Sequence, residues 1–348
     1  PTMYYLLMDR CLEFFNSGDN IIPKPVNSFE LSAMNYLDNS DNFISLEIPD
    51  NDSLSNEYQL LKAYQNVLRH SKNLGQISAF LNYDLNRLNY LYYNTNSDKK
   101  VESYISALEY DVSQYSENKY VAQLKYELNA FKYHNLRDSI DIDEIINDSK
   151  EVIEKYPNTT GAANSQALID EIHTRNLSFI MPSYVPSESA IEVKFNYQNI
   201  DSGKLELYKS ERINELLKNG REPEIRRIIS SMTPFYTQEI ALPITKKYLP
   251  NEAKMVLPPQ KLGTYLLVFR HGDDLVFNTF QVTDLMGIHF QEGSNYHILV
   301  TNRTSGEPIE NAVVKIYSYY YNRFEQREDK TLIFTLNTNR NGEIIFPI

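Results

Sequence analysis

The hydrophobic periodicity of this chain changes once, and that change fixes its fold class. Before residue 173 apolar residues recur at helical spacing, whereas after residue 175 they alternate with polar ones. Ile77, Phe80, Leu81, Leu85, Leu88, Leu91 and Tyr92 form one helical stripe, and Tyr58, Leu61, Tyr64, Val67 and Leu68 form another. Farther on, Ile191, Val193, Phe195 and Tyr197 alternate with Glu192, Lys194 and Asn196, the pattern of a half-buried strand. The spacing therefore predicts a multi-domain α and β chain with a boundary near His173–Arg175. An all-α domain of helical hairpins over 1–172 would precede two antiparallel β-sandwich domains, 173–285 and 286–348.

Within the first part, Leu7, Cys11, Phe14 and Phe15 fall on one helical face. Residues 17–56 break the period with Pro23, Pro25 and Pro49, and read as a long connection packed through Phe29, Leu31 and Phe43. Ser97 is the expected N-cap of a helix carrying Val101, Tyr104, Ile105 and Leu108. Two further stripes follow, Tyr120, Leu124, Leu128 and Phe131, then Ile145, Ile146, Val152 and Ile153, the latter stopped at Tyr156-Pro157. The run Thr160-Gly161-Ala162-Ala163, continued by Ala167, Ile169 and Ile172, places small residues where two helices must approach closely. This last unit resembles a tetratricopeptide hairpin, although no period of about 34 residues runs through the rest. Each stripe reads first as core, and the grooves of such an array can accept a partner segment.

In the second part, Leu177, Phe179 and Met181 precede the first clear strand, and Leu205 and Leu207 resume the alternation. Residues 209–227 are dense in charge and read as an exposed insertion with a short helix. Strands are expected at 235–242, 253–257, 263–270 and 275–282, short and separated by turn signals as in a sandwich. A last unit starts near Met286, with Tyr296, Ile298 and Val300, then Ala312, Val314 and Ile316, and a tight hairpin turn at Asn341-Gly342. It has about sixty residues against the ~100 of an ordinary sandwich domain, so we expect a unit short of its last strands. Pro1 in place of an initiator Met fits a trimmed piece of something longer.

Charge divides at the same boundary. Residues 1–172 hold 26 acidic and 14 basic side chains, so the whole formal charge of −12 belongs to them, and residues 173–348 are balanced. Such an acidic chain does not offer a nucleic-acid surface. No apolar run is long enough for a membrane span. One cysteine, Cys11, excludes an intramolecular disulfide framework and a Cys-based zinc site, and its place on an apolar stripe makes it a small core residue. His70, His134, His173, His271, His289 and His297 are scattered without ligand spacing; only His289 and His297 could meet, on adjacent strands. No nucleophile elbow, phosphate loop or dinucleotide fingerprint occurs. Asp141, Asp143 and Glu144 suit a helix N-terminus. We assign no catalytic, cofactor-binding or metal-ligating residue. Tyr317, Tyr319, Tyr320, Tyr321 and Phe324 could offer an aromatic contact surface to protein or glycan, or pack against a neighbouring domain.

The run Thr304-Ser305-Gly306-Glu307-Pro308-Ile309-Glu310-Asn311-Ala312-Val313-Val314, followed by Thr338 and Gly342 before an apolar strand, resembles the second macroglobulin-type sandwich of bacterial alpha-2-macroglobulin-like proteins. Gly263-Thr264-Tyr265 after Leu257-Pro258-Pro259 is similar to that family's strand entry, and Phe280-Gln281-Val282-Thr283 to the strand closing the preceding domain. Residues 4–15 look like the helical leader of some members. The resemblance implies a macroglobulin-like scaffold in protease trapping, in the bacterial periplasm or anchored at the outer membrane, with a protease as protein partner met through regions outside this segment. It does not imply chemistry here. Cys11 lies in Arg10-Cys11-Leu12-Glu13-Phe14, so the thioester pattern is missing its Gln. The expected chain is a non-enzymatic scaffold without cofactor. The competing expectation is a surface or periplasmic scaffold that binds protein or glycan with no protease role, and an intrinsic enzyme is a third.

Overall fold

The computed structural model describes residues 2–17, 29–31, 34–50, 52–209, 222–322 and 327–347. The chain divides into two compact units, Pro1–His173 and Thr174–Ile348, the first helical and the second built of β-sheets. Pro23, Pro25, Phe324 and residues 210–221 of the charged stretch lie outside the described residues.

The helical unit runs α1 (Met3–Asn16), a 3-10 turn (Met34–Leu37), α2 (Ser40–Ser45), α3 (Asn56–Asn73), α4 (Ile77–Asn94), α5 (Lys100–Gln114), α6 (Val121–Leu136), α7 (Ile142–Lys155) and α8 (Thr160–His173). One apolar cluster extends from Tyr5 to Tyr156 and contains the α3 and α4 stripes with Phe29 and Phe43 of the connection. Side chains end these helices as their chemistry demands. Ser55 Oγ accepts from Tyr58 N at the start of α3, and Asp141 accepts from Asp143 N at the start of α7. Gly161 meets α6 so closely that a Cβ there would collide with the Ala122 backbone, which is why a glycine opens α8.

Two local expectations for this unit are corrected. In α1 the inward residues are Tyr5 and Leu12, flanked by Met8, Cys11 and Phe15, whereas Leu7 and Phe14 are exposed. The stripe that wins continues the 5, 8, 12, 15 spacing, which a list begun at Leu7 misses. Cys11 is half-buried. Helix α5 starts at Lys100, with no side-chain cap; Ser97 instead accepts from Lys99 N in the preceding turn.

In the second unit, a three-stranded sheet of order β1-β3-β6 (Asn176–Ile180, Ile191–Gln198, Asn251–Leu257) shares its core with a five-stranded sheet. That sheet has the order β2-β8-β7-β4-β5 (Tyr184–Val185, Asp274–Val282, Gly263–His271, Ser202–Lys209, Tyr236–Ala241). Val193, Phe195 and Tyr197 of β3 join Leu205, Leu207, Leu267 and Phe269 in one cluster, the Phe195 and Phe269 rings 5.3 Å apart. The charged stretch is corrected in part: its described end enters α9 (Glu222–Ser231), and Ile229 of that helix is fully buried against Tyr208, Leu266, Val268 and Leu275. The helix therefore covers the outer face of the larger sheet, and β4 and β7 are buried on both sides.

The last strands form a three-stranded sheet of order β13-β10-β9 (Glu343–Pro347, Asn295–Asn302, Leu285–Glu292) and a long hairpin of β11 and β12 (Val313–Asn322, Arg327–Asn337). The turn at Asn341-Gly342 is present, with Gly342 at φ +71, but it is not a hairpin turn. It joins β12 to β13, whose ladder partners are β11 and β10. Asn339 organises it by accepting from Asn341 N and Glu343 N.

Candidate functional site

Three places carry chemistry beyond ordinary core packing. The first is a groove of about 500 Å³ in the helical unit, lined by Ser78, Asn86 and Asn89 of α4, Lys119, Gln123 and Glu127 before and along α6, and Thr160 of α8 among others. Its wall is held by side-chain bonds among α4, α5, α6, α8 and the turn before α6. Tyr120 OH donates to Asn82 Oδ1 at 2.7 Å, and Ser78 Oγ donates to Asn118 Oδ1 at 3.0 Å. Asn164 Nδ2 donates to Gln123 Oε1 at 3.2 Å, and Gln123 Nε2 to Glu127 Oε1 at 2.9 Å. Tyr104 OH donates to Asn89 Oδ1 at 2.6 Å. Burial holds the Glu127 carboxyl above its ordinary range, against the bond from Gln123. Among the described residues no cation lies within ion-pair distance of Glu127, and no carboxylate within that distance of Lys119. Reading the sequence for apolar stripes passes over this groove. Its signal is a polar stripe on the back of α4, Ser78, Asn82, Asn86 and Asn89, facing Tyr120, Gln123 and Glu127 at the same helical spacing.

The second place lies inside the same unit. Asp84 and Arg87 are fully buried, and Asp111 is 1% exposed. Arg87 Nε and Nη2 donate to the two Asp84 oxygens at 2.7 and 3.0 Å, and Nη2 also reaches Asp38 O at 3.0 Å. The guanidinium lies over the Phe43 ring, 4.3 Å from its centroid. Ser40 Oγ donates to Asp111 Oδ1 at 2.8 Å, while Asp111 Oδ2 has no donor aimed at it. Burial first, then the nearby charge of Asp84, pushes the Asp111 carboxyl up to about 8. Burial therefore favours the protonated form of Asp111. The cluster ties the 3-10 turn and α2 to α4 and α5.

The third place is the turn that carries the family resemblance. Thr338 is 3% exposed; its Oγ1 donates to Ile309 O at 2.6 Å and accepts from Ala312 N at 2.8 Å. Val300 N donates to Gly342 O at 2.7 Å and Ile309 N to Val300 O at 3.0 Å, while Pro308 bridges to Thr301. Gly306 sits at φ +74, so the glycines take backbone shapes that side chains disfavour. The two separated parts of the motif, 304–314 and 338–342, thus meet in one clasp.

The aromatic run stands on β11. Tyr319, Tyr320 and Tyr321 are all more than half exposed, and the ladder to β12 shifts register between Ile316 and Tyr317, just before them. On the neighbouring sheet Phe290 pairs with His297, Ile288 with Leu299 and Met286 with Thr301, so these apolar side chains share one open face. His289 does not join His297: it pairs with Ile298, which places the two histidines on opposite faces. His297 instead lies between Glu343 at 3.0 Å and Glu292 at 3.5 Å. Among the described residues no group of His, Cys, Asp and Glu has the arrangement to hold a metal ion. No described helix is long and apolar enough to cross a membrane.

No family model matches the sequence, and no curated protein matches it. Solved structures with partial likeness include a fragment of native alpha-2-macroglobulin from Escherichia coli spanning domains MG0-NIE-MG1. It is 11% identical, with 50% of this chain and 57% of that chain covered at a TM-score of 0.37. A shorter fragment of the same protein is 12% identical over 51% of this chain and 88% of that chain, at 0.35. A marsupial T cell receptor covers 50% of this chain and 63% of its own at 10% identity and 0.19. The chain thus spans a little over half the length of the first of these, and at such scores none of them establishes a shared fold.

Proposed function

We propose that this chain is a non-catalytic scaffold segment of a macroglobulin-like protease trap of the bacterial envelope. The observation that supports this reading is the clasp: Thr338 bonded to Ile309 and Ala312, with Gly342 against Val300 and Pro308. A sequence likeness spread over two distant stretches is stronger when physical contacts join the stretches, because each then explains the residue types of the other. In this reading the helices form a leader, the sheets form the frame, and the parts that meet a protease lie elsewhere in the protein. The test is the product of the whole gene. Incubated with a protease, it should be cleaved at a limited site and then compact, seen as a smaller radius of gyration in solution scattering. Cleavage without compaction would remove the trapping role.

A second reading has an observation of its own. The polar groove of the helical unit and the exposed tyrosines of β11 suit a scaffold that binds protein or glycan at the cell surface, without any protease role. Under it the full-length protein binds its partner and shows no change of shape with protease.

A further inference from the structure

The groove between α4 and α6 has the composition of a site that reads backbone. Asn86 is exposed at its wall and Asn89 uses only its oxygen, towards Tyr104, so carboxamide donors and acceptors remain facing the space. A carboxamide matches a peptide group in both donor and acceptor. The bonds Tyr120–Asn82, Ser78–Asn118 and Gln123–Glu127 fix the wall beforehand, so little ordering remains to oppose binding.

The two charged lining residues add direction. Lys119 and Glu127 are eight residues apart along the turn and first turns of α6, a rise of about 12 Å. An extended chain advances ~3.3 Å per residue and points every second side chain the same way, so residues four apart sit about 13 Å apart on one face. Each charge of the groove lacks an opposite charge at ion-pair distance among the described residues, and burial already penalises Glu127.

We propose that this groove binds an extended peptide segment of another protein, with an acidic and a basic residue four positions apart. The acidic side chain meets Lys119, the basic one meets Glu127, and Asn86 and Asn89 hydrogen-bond the peptide groups between them. The site is independent of the macroglobulin reading, which rests on the β unit, so either can fail alone.

The experiment uses the whole chain and fluorescence anisotropy with labelled short Ala/Ser/Thr peptides. One carries an aspartate followed four positions on by a lysine, one has the reverse order, and one has neutral amides at both places. One charged order should bind about tenfold tighter than the neutral peptide. Glu127→Gln and Lys119→Ala should each weaken it about threefold to tenfold, and exchanging the two charges, Lys119→Glu with Glu127→Lys, should reverse the preferred order. Circular dichroism melts control for folding. If Glu127→Gln melts early, Lys119→Ala, on an exposed side chain, carries the test. Failure of every peptide to bind, equal binding of the neutral one, or unchanged affinity in a folded Lys119→Ala protein overturns the proposal.

Discussion

The helical unit buries even its charges, while β9, among the last strands, leaves even its apolar side chains largely in water. Asp84 and Arg87 have no exposure at all, yet Ile288 is 44% and Phe290 49% exposed. Polarity alone would order these the other way. What differs is the number of layers. Asp84 and Arg87 sit on the α4 stripe between Phe80 and Leu91, under the connection that carries Tyr36 and Phe43, so their position forces burial and their hydrogen bonds make it tolerable. The β9 and β10 face has the right alternation but nothing among the described residues laid across it. A period in sequence says which way side chains point, and only a second layer decides whether that direction is inside.

The largest expected effect comes from breaking the buried charge set. Arg87→Met leaves Asp84 without its fork of donors and should lower the stability of the helical unit by about 3–5 kcal/mol, read from urea unfolding followed at 222 nm. The double change Arg87→Met with Asp84→Leu should recover much of that loss, because both charges are then gone. A loss from the single change below about 1 kcal/mol would mean that water reaches the cluster.

The same cluster makes stability depend on pH. Asp111 titrates near its ordinary value when unfolded but is pushed up to about 8 when folded. Between roughly pH 4 and pH 8 the folded chain therefore holds a proton that the unfolded chain has released. The stabilisation from that proton is complete below pH 4 and falls as pH rises, by up to about 1.4 kcal/mol per pH unit, until it is lost above pH 8. Asp111→Asn is nearly isosteric and never ionises. It should flatten this slope and raise the melting temperature most at pH 8. An unchanged slope in Asp111→Asn would place the titration elsewhere.

The clasp should give a middle-sized effect. Thr338→Val removes the hydroxyl at nearly constant volume and leaves Ala312 N and Ile309 O without their partner, at about 1–3 kcal/mol. Gly342→Ala should cost a similar amount, since its φ is +71 and a Cβ would press on Val300 O. Because the clasp sits among the last strands, both losses should appear in hydrogen exchange of β10 and β13 and leave the helical signal at 222 nm unmoved. Loss of helix instead would show that the clasp is not local.

Several of these features were legible in the sequence, and the rest were hidden for physical reasons. The strand Ile191–Gln198 is buried at every second residue as its alternation dictates, and the α3 and α4 stripes go inside as spaced. Three things needed the third dimension. The Leu7 stripe of α1 competes with the Tyr5–Leu12 stripe, and only the neighbouring α3 decides between them. Asn341-Gly342 has hairpin chemistry, but strand pairing assigned its two flanking strands to different sheets. The groove is built from Asn and Gln, which local sequence equally offers to solvent, and only the fold brings the α4 stripe opposite Tyr120 and the first turns of α6.

The smallest expected effect tests the other side of the comparison. Ile288 and Phe290 point to the open face of β9, opposite Leu299 and His297. Replacing both by Thr keeps the β-propensity of the strand and removes side chains about half of whose surface is already in water. Their joint effect on stability should therefore stay within about 0.5 kcal/mol, against about 3–5 kcal/mol for Phe195→Ala in the closed sandwich core. Light scattering should show equal or lower self-association, because an exposed apolar face favours sticking to itself. If the Thr pair instead costs as much as Phe195→Ala, a layer covers that face in solution, and the contrast between the closed helical interior and the open strands disappears.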